Sequence, residues 1–480
     1  MKETKLISLL QTFDNSELKA LDKFIQSPYF NSSEVISKLW EHIKKHSTSF
    51  DSPQLSKEKT FKKIYPKETF NDKRLRQLRS RLFKLVQTFL ATQQFQKNEL
   101  LAKKQLAEAY YEKDFYEWFE DESRDIIKDI HKNEILHDGH YLALIQLHHH
   151  LYFNQRSNKY LPSPPDLWEC SEQIDAFYWL SKLKYAAEWN LRQFLNIEKR
   201  PKNMDLSNIP DKFTSPEQPL FHFYYSIYTL FNQTLEEGEC LFFETANAFI
   251  NIADTIPLKE RTPILLYLIN YSSLGHRKKE EQFLPILFAL NKIGIENNAF
   301  LYKGEIQPAS FTNMVYLGCK LKKIDWVQQF IADYQSKLPL ISKENTINYT
   351  LATLAFFKED YLAAFYQLES IKFQKPSSEI SKKSFQIRCG FECFLLQRAF
   401  YEILKNKSES LQKFISRKGI INEQKRAAFK NLNNTIKKTA TLILQNANKK
   451  EFNKMIEKVQ KQTPFPEKIW MLKHLKAFAQ

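Results

Sequence analysis

Glycine is nearly missing from this chain, with eight residues in 480, at positions 139, 238, 275, 294, 304, 318, 390 and 419. Ordinary usage is about 7%. Tight hairpins, phosphate-cradling loops and left-handed helix caps draw on glycine, because it adopts positive φ without a steric penalty. No two glycines stand closer than ten residues, so neither a G-x-G-x-x-G fingerprint nor a P-loop can be written. The same scarcity argues against β-rich architecture. Cysteine is sparse too: Cys170, Cys240, Cys319, Cys389 and Cys393 form no C-x-x-C pair and no zinc-ribbon spacing. Cys389 and Cys393, four apart, share one helix face as small apolar side chains, and an odd, sparse set fits a reducing compartment. Long apolar runs are also lacking. The best, ILLYLI at 264–269, falls far short of the roughly 18 residues of a membrane span. The N-terminal MKETKLISLLQTF offers too short an apolar run for a secretory signal. A cytoplasmic protein without membrane insertion is the expectation.

The material for a folded core is present, with 43% hydrophobic residues, 26% charged residues and 39 Phe, 22 Tyr and 7 Trp. At 480 residues the chain exceeds the size at which one core stops growing, so two or three domains or an elongated repeat stack are expected. The net charge of +16 is unevenly placed. Residues 57–104 carry 14 Lys/Arg against 4 Asp/Glu, and residues 405–480 carry 18 against 5, leaving the remainder net acidic. Basic ends could meet an anionic partner, although lysine-rich solvated helix faces are the commoner case.

Helix starts are written into the sequence. Asp14 with Glu17 predicts a capping box, and Phe13 and Leu18 a hydrophobic staple. Asn31 with Glu34 repeats the capping logic, Ser52-Pro53 offers a cap followed by proline, and Phe70, Asn71 and Leu75 suggest a further start. Four helices are expected in the first 92 residues. Leu161-Pro162-Ser163-Pro164-Pro165-Asp166 cannot be helix interior, and Pro201, Pro210, Pro216 and Pro219 mark a longer irregular connection. The resulting organisation is a basic N-terminal helical domain at 1–98, helical hairpins at 99–160 and a helical segment at 167–200. A helical-repeat region at 220–445 and a basic tail at 446–480 complete it. No strand is expected anywhere.

The segment 71–92 is strongly amphipathic. Leu75, Leu78, Leu82, Leu85, Val86 and Phe89 share one face, while Lys73, Arg74, Arg81 and Lys84 stand opposite, with Arg76 on one flank. A basic face opposite a buried one is what a helix lying against phosphates would show, and equally what a surface helix of a lysine-rich protein shows.

Residues 345–378 carry a periodic pattern. Leu351 and Ala352, then Ala355, are followed by Tyr361, Ala364 and Leu368, and Pro376 closes the segment. A shift of 34 finds Leu317, Gly318, Leu321, Val327 and Tyr334 in 311–344, with Phe330 at a small-residue site and Ser342 in place of the proline. A fainter copy at 100–133 has Leu106, Ala107, Tyr110 and Tyr116, with Phe119 where alanine is expected. The pattern resembles the tetratricopeptide repeat. That resemblance implies an all-α solenoid of stacked helical hairpins, with a groove lined by first-helix positions that holds a peptide. Carried over, those positions are Val315, Lys322 and Lys323 in one repeat and Tyr349, Thr353 and Phe356 in the next. Their aromatic and basic character would suit an acidic or C-terminal peptide.

Candidate chemistry is thin. Glu134 and His137 form an E-x-x-H without the second copy that a di-iron bundle needs. His137-Asp138 looks like the dipeptide of the helical HD phosphohydrolases, but no histidine lies between His46 and His131 to complete it. His148, His149 and His150 are consecutive, so on a helix they diverge by about 100° each. No cofactor, metal or catalytic constellation is expected. Two readings follow. One is a non-enzymatic scaffold binding another protein or peptide, and the other is a nucleic-acid-binding or regulatory protein using the basic ends.

Overall fold

Helices begin where a side chain can satisfy the first free amides. The computed structural model describes residues 4–47, 50–153, 164–195, 204, 206, 208–276, 279–302, 304–417 and 422–479. Asp14 Oδ1 accepts from the amides of Ser16 and Glu17 at 2.7 and 2.8 Å, and Glu17 Oε2 accepts from the Asp14 amide at 2.9 Å. The capping box is complete. Asn31 instead accepts from the Ser33 amide and donates to Ile25 O, so the next helix starts at Glu34, behind Ser33. Ser52 and Pro53 open only a short 3-10 turn, and Ser56 caps the helix beyond it.

The chain divides into two compact units, Met1–Ile174 and Asp175–Gln480. The first holds α1 (Lys5–Leu10), α2 (Asn15–Gln26), α3 (Glu34–Lys44), α4 (Lys57–Ile64) and α5 (Asp72–Lys97), followed by α6 (Glu99–Glu112), α7 (Tyr116–His131) and α8 (Asp138–Phe153). The division falls within α9 (Pro164–Phe194), whose two leading prolines occupy the first turn, where no amide is needed. In this unit α5 is the axis. Its Leu75, Leu78, Leu82, Val86 and Phe89 are buried against residues from α1 to α4, among them the fully buried Trp40. Among the described residues five α-helices precede residue 98, against the four expected, because the six-residue α1 is too short to show a period.

The second unit contains α10 (Pro219–Leu230), α11 (Glu239–Ile252), α12 (Leu258–His276), α13 (Glu280–Glu296), α14 (Pro308–Lys320), α15 (Ile324–Tyr334) and α16 (Leu340–Phe357). After these come α17 (Tyr361–Ser370), α18 (Pro376–Leu396), α19 (Tyr401–Ile415), α20 (Glu423–Leu444), α21 (Lys449–Lys461) and α22 (Lys468–Ala479). Consecutive helices from α10 onward pack against each other, apart from α15 and α16, and alternate ones also meet: α10 with α12, α11 with α13, α14 with α16, and α18 with α20. The fold is all-α, built of stacked helical hairpins. One departure is a two-residue antiparallel pair, Leu301–Tyr302 with Glu305–Ile306, turning at Gly304 with φ 79°. It is too short for any alternation to register in the sequence.

Left-handed caps are made without glycine. Asp114, Asn298, Lys322, Glu359 and Asn446 hold φ between 49° and 65°. In each case the amide one residue later reaches back five residues, as from Phe115 to Tyr110 O, Lys323 to Gly318 O and Asp360 to Ala355 O. The equivalent turn residues Lys322 and Glu359 are 37 residues apart. The expected 34-residue period therefore does not hold between these two hairpins. The connection that carries the 3-10 turn Gln335–Lys337 adds the extra length.

Candidate functional site

Three first helices of successive hairpins, α14, α16 and α18, present matching faces. With the spacing corrected to 37, Thr312 and Tyr316 on α14 correspond to Tyr349 and Thr353 on α16. A further 35 residues bring Ser384 and Arg388 of α18 into the same places. These six side chains line a pocket of about 440 Å³, completed by Ser381 and Phe385 of α18, Phe429 of α20, and Pro466 and Glu467 from the connection between α21 and α22. The hydroxyl protons are spent locally: Thr353 donates to Tyr349 O, Thr346 to Ser342 O and Ser381 to Ser377 O. Their oxygens still offer lone pairs. Burial pushes the Tyr349 hydroxyl up to about 12, so it stays protonated.

Charge in the pocket centres on Arg388, whose side chain is only 9% exposed. Its Nη1 lies 3.0 Å from Glu467 Oε1, and the guanidinium covers the rings of Phe356, Phe385 and Trp470 at 5.1, 5.5 and 5.2 Å. Its Nε has no acceptor among the described residues. Tyr316 donates its hydroxyl to the same Glu467 oxygen at 3.1 Å, and Lys320 Nζ stands 3.9 Å from the other. Burial would raise the Glu467 carboxyl, but Arg388, Lys320, the Tyr316 hydroxyl and His276 together hold it below the usual range. Glu467 also has φ 52°, a left-handed conformation that costs an L-residue about 1–2 kcal/mol. Further along α18, Glu392 accepts from Trp470 Nε1 at 2.7 Å and lies 2.9 Å from His474 Nε2, which fastens α22 to the stack.

Of the groove residues expected from the repeat, Tyr349 and Thr353 line this pocket and the other four do not. Val315 is fully buried between helices. Lys322 is the left-handed turn residue, and Lys323 caps α15 with its Nζ 5.7 Å from the Phe288 ring. Phe356 is buried against Phe385 and the Arg388 guanidinium. A period of 34 sets Val315 and Lys322 against Tyr349 and Phe356, where a spacing of 37 sets Thr312 and Cys319. Phe356 lies on the α16 face that packs against α18. Tyr316, Ser384, Arg388 and Glu467 were missed. The first three become visible once the spacings of 37 and 35 are applied, whereas no local signal marks Glu467.

On α5, Arg74 pairs with Glu68 and stacks on Tyr65, and Arg76 pairs with Asp72. Lys73, Arg81 and Lys84 are exposed. In the histidine cluster, buried His148 holds Nδ1 2.9 Å from Asp166 Oδ1, and Arg124 grips the same carboxylate through both Nη atoms. His137 stacks on His140 at 3.9 Å. Among the described residues no group of three or more His, Cys, Asp or Glu side chains is placed to hold a metal ion. Burial raises the thiols of Cys389 and Cys393, the latter to about 11, so neither is a thiolate near neutrality. No helix among the described residues is long and apolar enough to cross a membrane.

Set beside known proteins, the chain matches no family model, no curated protein and no solved structure.

Proposed function

We propose that this chain is a non-enzymatic interaction scaffold, a tetratricopeptide-like stack that holds an extended segment of a partner protein across α14, α16 and α18. One observation carries the reading. Side chains from three successive first helices converge on one pocket of about 440 Å³, with aromatic walls, hydroxyl acceptors and a buried guanidinium. An extended segment rises about 3.3 Å per residue, so neighbouring hairpins can each meet alternate side chains of one bound strand of peptide. A scaffold also needs no perturbed nucleophile, and the buried thiols and the carboxylate-held His148 fit packing roles. Five free cysteines accord with a cytoplasmic, reducing setting.

Ser381 is exposed at the mouth of the pocket, so Ser381→Trp should fill it while leaving the hairpin cores intact. In affinity capture from native lysate with nuclease added, the wild-type chain is expected to retain proteins that Ser381→Trp loses. An unchanged set of captured proteins would remove the groove from the account. Loss of everything on nuclease treatment would favour nucleic-acid binding through the exposed Lys73, Arg81 and Lys84 instead.

A further inference from the structure

We infer that the pocket reads a carboxylate, the acidic side chain of an extended partner segment, in competition with the chain's own residues 464–467, whose Glu467 now occupies the carboxylate position. The inference rests on the scaffold reading and names the chemistry of its ligand. A buried guanidinium requires an anion, and Arg388 receives it from Glu467, whose Tyr316 partner lies 151 residues earlier. Lys320 and Tyr316 close on the same carboxylate, so three donors converge on one anionic group. The occupying stretch, Thr463-Pro464-Phe465-Pro466-Glu467, has two prolines and so cannot be helix interior. Asn431 Nδ2 donates to Pro464 O at 2.9 Å, a side-chain grip on the backbone of the kind a groove gives a bound peptide.

The internal occupant is imperfect. Glu467 takes Nη1 of Arg388 and leaves Nε, a buried donor, without an acceptor. A carboxylate free to approach from the pocket side can take Nε and Nη together, the two-pronged geometry that guanidinium favours. Glu467 is also held in the left-handed region, which release of the loop would relieve. A partner's aspartate or glutamate therefore has two advantages over the residue it displaces.

The test uses the full-length chain. A random peptide library displayed on phage is panned on Glu467→Gln, which keeps the shape of the loop and removes the competing charge. Selected peptides are expected to carry an aspartate or glutamate. One of them, made synthetically, should bind Glu467→Gln about tenfold more tightly than wild type. It should weaken by about tenfold when its own acidic residue becomes the amide, or when Arg388→Lys removes the fork but keeps the charge. Ser381→Trp should block it. If Glu467→Gln lost helical signal, Asn431→Ala would take its place, since it loosens the grip on Pro464 without touching the donors that meet the carboxylate. Selection of neutral peptides indifferent to Arg388→Lys would overturn the carboxylate inference and leave the scaffold reading standing. Equal affinity for wild type and Glu467→Gln would overturn the competition. Recovery of no peptide at all would overturn both.

Discussion

Gly318 and Gly390 occupy helices of the same stack and have opposite surroundings. A Cβ on Gly318 would lie 2.5 Å from Val327 Cγ2, across the α14–α15 hairpin, with no room to recede. In the next hairpin the corresponding positions are Ala355 and Ala364, so a glycine-valine pair in one is matched by an alanine-alanine pair in the other. Either combination lets two antiparallel helices approach closely. Gly318→Ala should therefore overpack the hairpin and destabilise the chain by about 1–3 kcal/mol. Gly390 is interior to α18, and a Cβ there would meet Leu404 and Phe365 at an ordinary 3.4 Å. Gly390→Ala should be neutral or stabilise by up to about 1 kcal/mol through helix propensity. Urea unfolding followed by circular dichroism measures both. The reverse order would mean that the helices are not in the register described.

Elements differ in how far the sequence discloses them. Starts set by adjacent residues are legible: Asp14 with Glu17 caps α2, and Asn71 accepts from the Arg74 amide at the head of α5. The apolar stripe of α5 is legible as well, because burial against a single core repeats every turn. The spacing between hairpins is not. Thirty-four residues suits the apolar pattern loosely, whereas the turns at Lys322 and Glu359 show 37, and a connection's length leaves no periodic trace. That slip of three moved the first position from Thr312 to Val315 and passed over Tyr316. Glu467 was beyond reach for a different reason, since its partners lie on α14 and α18, far away in the chain. Its contact has a pH signature. The carboxyl is held below its unfolded value of 4.5, so ionisation favours the folded state at higher pH and that stabilisation is lost as pH falls through the lower folded value. Amide exchange in α22 should accelerate as pH is lowered from about 6 to about 3, after correction for intrinsic rates, and Glu467→Gln should flatten part of that dependence. Identical profiles would mean that the carboxylate contributes nothing to holding the segment.

At the scale of the whole chain, charge and architecture give separate signals. The basic stretch 57–104 lies in the first unit, where α5 commits Arg74 and Arg76 to carboxylates. The basic stretch 405–480 lies in the second, where the same region supplies the acidic Glu467 to the pocket. A protein that worked through its cations alone would not need three first helices to converge on a walled pocket. The proposed recognition of a partner by the faces of α14, α16 and α18 that line the pocket is open to a direct measurement. A photoreactive benzoylphenylalanine can be placed, one position per full-length chain, at Ser381 in the pocket, at exposed Leu362 on α17, and at exposed Lys84 on α5. After irradiation in native lysate, position 381 should yield discrete polypeptide cross-links that Arg388→Lys diminishes, while 362 and 84 yield none above background. Cross-links from 84 or 362 with silence at 381 would contradict the account.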